Sequence, residues 1–158
     1  MGREILVLWA GRHRRGNWEE LCADYRRRIV REVAVRDEMV KVRRSGDGAA
    51  RRKAEGEALL AALPDPCWPL ALDPRGRPTS SDELAEKLRR LGEEWPHPIV
   101  FLIGSDLGLD PALLAAARER ISFGPMVFGH ELARLVLYEQ LYRAISIQRG
   151  IKYDRQPF

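Results

Sequence analysis

Short, almost entirely apolar runs alternate along the chain with longer stretches in which apolar residues recur every three or four positions. The first pattern is typical of buried strands and the second of amphipathic helices. It predicts strands over residues 5–9, 33–42, 67–72 and 98–103. It predicts helices over residues 17–30, 49–63, 80–91, 110–120 and 130–148. Because the two alternate and the strands are apolar on both faces, the predicted fold class is α/β, with a parallel sheet covered on both sides.

Residues at the predicted element ends support this division. Asn17 is expected to cap the first helix, and Ser80 with Glu83 has the spacing of a capping box. Segments 43–48, 73–78 and 122–129 are expected to be loops or irregular structure, since they are rich in glycine, proline or charge. In parallel sheets of this class, ligands bind beyond the carboxyl ends of the strands. The loops that follow the strands are therefore the first candidates for a functional site.

Length and composition narrow the class of protein. The 158 residues, 45% of them hydrophobic, fit one compact domain over residues 1–158. A net charge of +4 permits binding to nucleic acid without requiring it. No apolar run approaches the roughly 20 residues that span a bilayer, and no secretion signal is recognisable, so we expect a cytoplasmic protein. Cys22, Cys67 and three scattered histidines lack the spacing of ligands, so no metal is expected.

Two post-strand segments could form a ligand pocket. Gly104 and Gly108 enclose a loop after the most apolar strand, and glycine lets the backbone approach a ligand closely. The loop matches neither a dinucleotide nor a phosphate-binding pattern, and an ordinary strand-to-helix turn is the alternative. The apolar segment 123–131, with two glycines and a proline, could wall a pocket through its backbone groups. Its alternative is a strand with a bend.

The last predicted helix carries apolar residues on more than one side. Either the helix is buried in the core, or it is shared between the core and a second copy of the chain; we favour the dimer. The tail that follows it, residues 148–158, mixes cations with an aromatic ring that could stack on a base. The alternative is a tail that is frayed and inert.

Four features occur together in this chain. They are the motif Leu-Tyr-Arg-Ala at 141–144, a preceding helix start with His130, Leu132 and Arg134, the glycine loop at 102–108, and the tail residues Tyr153 and Arg155. In this combination the chain resembles the ribosomal RNA large subunit methyltransferase H family over its whole length. The resemblance implies the SPOUT fold, an α/β sheet with a C-terminal trefoil knot. It also implies a homodimer that binds S-adenosylmethionine and methylates N3 of a pseudouridine in the 23S RNA of the ribosome.

The resemblance also implies site residues. The expected cofactor contacts are Leu72, Gly104, Phe123, Gly124, Pro125, Met126, Val127 and Phe128. The residues expected near the reacting nucleotide are Arg143, Tyr153, Asp154 and Arg155, with the tail of one protomer reaching the pocket of the other. Phosphate contacts are expected from Arg12, Arg14, Arg15, Arg143, Arg149, Lys152 and Arg155. No metal is required, because the sulfonium already activates the methyl group.

Three short segments depart from the family's pattern. The usual tail His-Pro-Tyr-His-Arg is Ile-Lys-Tyr-Asp-Arg at 151–155, so Asp154 stands where an imidazole is expected. The usual loop Gly-Gly-Pro-Glu-Gly is Gly-Ser-Asp-Leu-Gly at 104–108, and the usual Leu-Pro-His-Pro is Phe-Gly-His-Glu at 128–131. Two alternatives therefore remain: a related methyltransferase with a different target nucleotide, and a non-catalytic protein that binds or assembles the ribosome.

Overall fold

A computed structural model describes residues 4–11, 16–42 and 47–155, the side chains of residues 154 and 155 excepted. Five strands form the sheet: β1 Glu4–Ala10, β2 Ala34–Val40, β3 Trp68–Pro78, β4 Ile99–Ile103 and β5 Glu119–Ser122. Five α-helices surround it: α1 Gly16–Ile29, α2 Gly48–Ala62, α3 Ser81–Glu94, α4 Pro111–Ala116 and α5 His130–Arg149. A short 3-10 helix, Lys152–Arg155, follows α5. Among the described residues, no helix combines the length and apolar character needed to cross a membrane.

The sheet has the strand order β2-β1-β4-β3-β5, and every pairing is parallel. Side chains of β1 and β4 alternate between two hydrophobic cores. Val7 and Phe101 face the core that includes residues of α1, α3 and α5. Leu6 and Leu102 face the core that includes Leu59 of α2 and residues of α4. The predicted α/β class, with a parallel sheet flanked by helices, is confirmed.

Strand β5 was not predicted. The sequence pattern predicts one helix over 110–120, but α4 ends at Ala116 and Glu119–Ser122 pairs with β3. Only the last two residues of β5 are buried, and the first two are charged. A strand this short, at the edge of a sheet, has too few apolar positions to show a period. Its hydrogen bonds to β3 decide its conformation.

The segment 73–78, predicted to be a loop, is the second half of β3. The register shifts between Leu72 and Arg77, after which Arg77 pairs with Ile121 and Pro78 with Ser122. Gly76 permits the close approach, because a Cβ there would lie 2.8 Å from the carbonyl carbon of Arg120. This part of β3 contains prolines and charged residues, so it lacks the hydrophobic periodicity that predicts a strand. Such periodicity is absent where a strand is bulged and exposed.

Local capping patterns in the sequence predict the start of α3 correctly and the start of α1 incorrectly. Helix α1 begins at Gly16, so the prediction of Asn17 as its cap is wrong. The capping box of α3 is confirmed: Ser80 Oγ accepts the Glu83 N–H (3.1 Å), and the Glu83 carboxylate accepts the Ser80 N–H (2.8 Å). Helix α5 covers the predicted range and packs against both α1 and α3. One of its faces is therefore core, as the first of the two alternatives requires.

Candidate active site

The carboxyl ends of β4 and β5, and the bulge of β3 between them, bring the expected cofactor residues to one edge of the sheet. Leu72 lies at the register shift of β3, Gly104 directly follows β4, and segment 123–128 directly follows β5. Since these strands are parallel and neighbours, the three segments share an edge. This is the edge at which α/β sheets bind ligands.

The loop after β4 is a tight turn. Its Gly108 N–H donates to the Ser105 carbonyl oxygen (3.0 Å), and Gly108 has a φ of 77°. A Cβ on Gly104 would lie 2.7 Å from the carbonyl carbon of Gly108, so glycine is required there by the turn itself. A Cβ on Gly108 would have no atom within 4 Å, and the backbone at this point borders open space.

Ser122 joins the segment after β5 to the bulge of β3. Its Oγ lies 2.8 Å from the carbonyl oxygen of Gly124 and 3.2 Å from that of Pro74, and it accepts the Gly124 N–H (3.0 Å). Gly124 has a φ of 122°, which disfavours any other residue, and it too borders open space. Sequence analysis missed Ser122, because a polar residue after a strand is not distinctive by itself.

Beyond Gly124 the segment presents apolar side chains to its surroundings. Met126 is 76% exposed and Val127 is 81% exposed, while the rings of Phe123 and Phe128 lie 6.3 Å apart. Open glycine backbone beside apolar side chains is a surface that fits a ligand with both polar and apolar groups. The residues present therefore suit a cofactor held largely by main-chain atoms.

A second cluster surrounds Tyr153, where the chain turns back along α5. The Tyr153 hydroxyl donates to Glu139 (3.0 Å) and lies 3.1 Å from the Tyr25 hydroxyl. Arg143 donates to the same Glu139 oxygen (2.8 Å), and its guanidinium lies 5.1 Å from the centre of the Tyr153 ring. The structure thus brings together Tyr153 and Arg143, two of the four residues expected near the nucleotide.

The surroundings of Tyr153 keep its phenol protonated. Burial raises the pKa of Tyr153, and the hydrogen bonds to Tyr25 and Glu139 raise it further. At neutral pH the hydroxyl is therefore a hydrogen-bond donor and not a base.

Within one chain, these two clusters do not meet. Glu139, the partner of Tyr153, lies nine residues into α5 from His130, which is roughly 14 Å along the helix axis. The expected cofactor segment ends just before His130. The side chains of Asp154 and Arg155, and all of Arg12, Arg14 and Arg15, lie outside the described residues. Of the other expected phosphate contacts, Lys152 is exposed and Arg149 pairs with Glu32 (3.1 Å).

Buried charges fix the first turns of α5. Arg134 is only 3% exposed and donates to Asp37 (2.8 Å) and Glu19 (2.9 Å), with its guanidinium 4.4 Å from the centre of the Trp9 ring. Tyr138 also donates to Asp37 (2.5 Å). Although burial acts to raise it, hydrogen bonds from Arg26 and Arg134 hold the pKa of Glu19 below its usual value. The sequence marked Arg134 without indicating this role.

The described residues include the buried thiol of Cys22 and side chains of the types that bind metals. Burial raises the pKa of Cys22 to about 11, so its thiol is protonated at neutral pH. In the described ranges, no group of three or more histidine, cysteine, aspartate or glutamate side chains could hold a metal ion.

Comparisons with known proteins identify the family of this chain. The family described as "Predicted SPOUT methyltransferase" matches residues 3–154. The ribosomal RNA large subunit methyltransferase H of Solidesulfovibrio magneticus is 36% identical over 151 residues, which is 96% of this chain and 98% of that protein. The protein of the same name from Pelotomaculum thermopropionicum is 39% identical over 155 residues, covering 94% and 97%.

Solved structures share the fold at much lower identity. A probable methyltransferase from Bordetella pertussis matches with a TM-score of 0.54 at 18% identity, covering 91% of this chain and 96% of that one. A probable methylase family protein from Haemophilus influenzae matches with a TM-score of 0.53 at 14% identity, covering 96% and 68%. The predicted methyltransferase activity is confirmed, and S-adenosylmethionine is the methyl donor of this family. The chain belongs to the SPOUT methyltransferases and, among them, to the ribosomal RNA large subunit methyltransferase H family.

Proposed function

We propose that this protein methylates N3 of a pseudouridine in 23S ribosomal RNA, with S-adenosylmethionine as the methyl donor. The observation that carries the proposal is the shared edge of β3, β4 and β5, where open glycine backbone adjoins apolar side chains. The names of the full-length relatives support ribosomal RNA as the substrate. A ribosomal substrate requires a cytoplasmic location, and all 158 residues would form the one catalytic domain.

Leu72, Gly104 and residues 123–128 would hold the cofactor, largely through main-chain groups. The bound cofactor supplies a methyl group already activated as a sulfonium. The protein's own task is to align N3 with that methyl group, which is mainly a matter of position. The closed turn at 104–108 and the Ser122 contacts supply fixed backbone for this purpose.

We infer a trefoil knot in the carboxyl-terminal third. The chain reaches β5 at one edge of the sheet and then returns to α5, which packs against α1 and α3. The contact of Ser122 with Pro74 draws the returning segment against the bulge of β3. Both features would be explained if the segment after β5 passed through the loop that contains Pro74.

We also propose that the active site is shared between two protomers. Glu139, to which both Tyr153 and Arg143 donate, lies roughly 14 Å along α5 from His130, just after the cofactor segment of the same chain, so the tail of a partner would complete the site. Leu21 of α1 and Leu132 of α5 are exposed, as are Met126 and Val127, and a dimer would cover exposed apolar side chains of this kind. Tyr153 and Arg155 would then contact the RNA, and Asp154 would accept the N3 proton.

Subunit complementation tests the shared site. Gly104→Ala weakens cofactor binding by a protomer, and Tyr153→Ala removes the ring of its tail; at a cofactor concentration well below the raised Kd, each variant alone is expected to have little activity. Random mixing after mild dissociation should restore about one quarter of the sites, because half of the dimers are mixed and each contains one intact site. No recovery, or a monomer by analytical ultracentrifugation, would contradict the shared site.

Labelled cofactor and ribosomes from a strain lacking the gene test the activity. We expect transfer to 23S RNA and, by mass mapping, a single methyl on a pseudouridine. A methyl at another nucleotide would support a shifted target, which the altered loop at 104–108 and Asp154 make the second candidate. Absence of S-adenosylmethionine binding by calorimetry would instead favour a non-catalytic ribosome-binding protein.

A further inference from the structure

Helix α2 holds the turn after β4 from outside. Its Arg51 and Glu55 are four residues apart and therefore lie on one face of the helix. The Ser105 hydroxyl donates to one oxygen of Glu55 (2.7 Å), and Arg51 donates to Asp106 (3.0 Å). Arg51 also lies 3.7 Å from the other Glu55 oxygen. Two consecutive residues of the turn are thus tied to one helix.

The same helix also contacts the far end of this loop. A Cβ on Gly56 would lie 2.7 Å from the Cβ of Asp110, so the two backbones can approach only because residue 56 is glycine. Asp110 in turn caps α4 by accepting the Ala112 N–H (3.0 Å). Helix α2 therefore fixes both ends of the segment that joins β4 to α4.

Glu55 is a buried carboxylate, only 8% exposed. Burying a carboxylate is costly unless hydrogen bonds and charges compensate. The partners that compensate Glu55 are Ser105 of the turn and Arg51, which itself reaches the turn through Asp106. The interactions that stabilise the buried Glu55 carboxylate therefore also stabilise the conformation of the turn.

Ser105 connects its contact with Glu55 to hydrogen bonds within the turn. Its Oγ accepts the Leu107 N–H (3.3 Å) while donating to Glu55, and its carbonyl accepts the Gly108 N–H. A shift of Ser105 would therefore disturb the backbone at 107 and 108, against which Gly104 packs.

We propose that Glu55 is a positioning residue for the cofactor: through Ser105 and Arg51 it holds the turn after β4 in the conformation that presents the backbone around Gly104 to S-adenosylmethionine. This rests on the proposed function, in which Gly104 belongs to the cofactor site. The network acts on binding of the cofactor and not on the methyl-transfer step, since the contacts of Glu55 are with Ser105 of the turn and with Arg51, and not with Tyr153 or Arg143.

Calorimetry with S-adenosylmethionine and steady-state methylation test this on the full-length protein. Removing either partner, by Glu55→Ala or Ser105→Ala, should raise the Kd and KM for the cofactor about tenfold and leave kcat within about twofold. The loss of affinity in the double variant should be smaller than the sum of the two single losses, because both single variants remove the Ser105–Glu55 hydrogen bond. Glu55→Gln keeps an oxygen that can accept from Ser105 and should recover most of the affinity.

The matched control is Glu57→Gln, the same chemical change at an exposed position of the same helix, which should leave the Kd unchanged. If Glu55→Ala fails to fold, Ser105→Ala and Glu55→Gln decide the question. A folded Ser105→Ala with wild-type Kd, or additive losses in the double variant, would overturn the positioning role. A wild-type protein that does not bind the cofactor would instead overturn the proposed function.

Discussion

Different kinds of residue hold the two ends of α5 in place. At its start, a buried arginine and two carboxylates fix the helix just after an apolar, glycine-containing segment. At its end, partly exposed aromatic and charged side chains hold the tail against the helix. The segment before the first end exposes backbone at Gly124, whereas the second end exposes side chains. A small cofactor that must be held in one pose suits the first, whereas a large RNA surface suits the second.

The largest expected effect comes from removing the buried charge at the start. Arg134→Met leaves the buried Asp37 without its closest ion-pair partner and removes one of the two arginines that pair with Glu19, and we expect a loss of about 3–5 kcal/mol in the free energy of unfolding. Urea denaturation measures it. Arg89→Met is the control, because Arg89 also pairs with two carboxylates but on an exposed face of α3, and it should have little effect. Equal losses in both variants would show that burial does not distinguish the start of α5.

The next effect concerns the backbone that we propose to contact the cofactor. Gly104→Ala places a Cβ against the Gly108 carbonyl and should open the turn, raising the Kd for S-adenosylmethionine at least about tenfold. Gly16→Ala is the control, since a Cβ at the first residue of α1 has open space. Calorimetry on both variants makes the comparison. Unchanged affinity in a folded Gly104→Ala would remove this turn from the site.

A smaller effect is expected at the other end of the helix. Tyr153→Phe keeps the ring beside Arg143 and removes the hydroxyl shared by Glu139 and Tyr25. We expect kcat to fall about tenfold through misplacement of the tail, with the cofactor Kd unchanged. Tyr142→Phe removes the same atom from a ring 4.7 Å away and should be neutral. A change in cofactor Kd for Tyr153→Phe would contradict the division between the two ends.

Local signals explain which parts of the molecule could be predicted. The capping box at Ser80, the apolar run of β4 and the span of α5 depend on residues close in sequence, and each was predicted. Strand β5 and the second half of β3 stabilise each other by pairing, because neither segment has a composition that indicates a strand by itself. No period in the sequence reveals such a pairing.

The candidate site divides in the same way. Gly104 follows an apolar strand, so its position at the sheet edge could be predicted from the order of elements. Segment 123–128 follows β5, which the sequence pattern does not predict, so its position at that edge could not be predicted in the same way. Tyr153 meets Tyr25, 128 residues away, and Arg134 meets Asp37, 97 residues away. These contacts depend on how α5 packs against α1 and the sheet, which periodicity alone cannot supply.

The smallest expected effect is a pH dependence at the start of α5. The pKa of Glu19 is lower in the folded protein than the ordinary value of 4.5, because Arg26 and Arg134 donate to its carboxylate. Its contribution to stability is therefore present above about pH 4.5 and is lost as the pH falls through the lower, folded value. Glu19→Gln should flatten the fall in unfolding free energy between about pH 5 and pH 3 by less than about 1 kcal/mol, since the side chain is partly exposed. Glu20→Gln, on the exposed side of α1, is the matched control, and an identical change in both would mean that the ion cluster does not sense pH through Glu19.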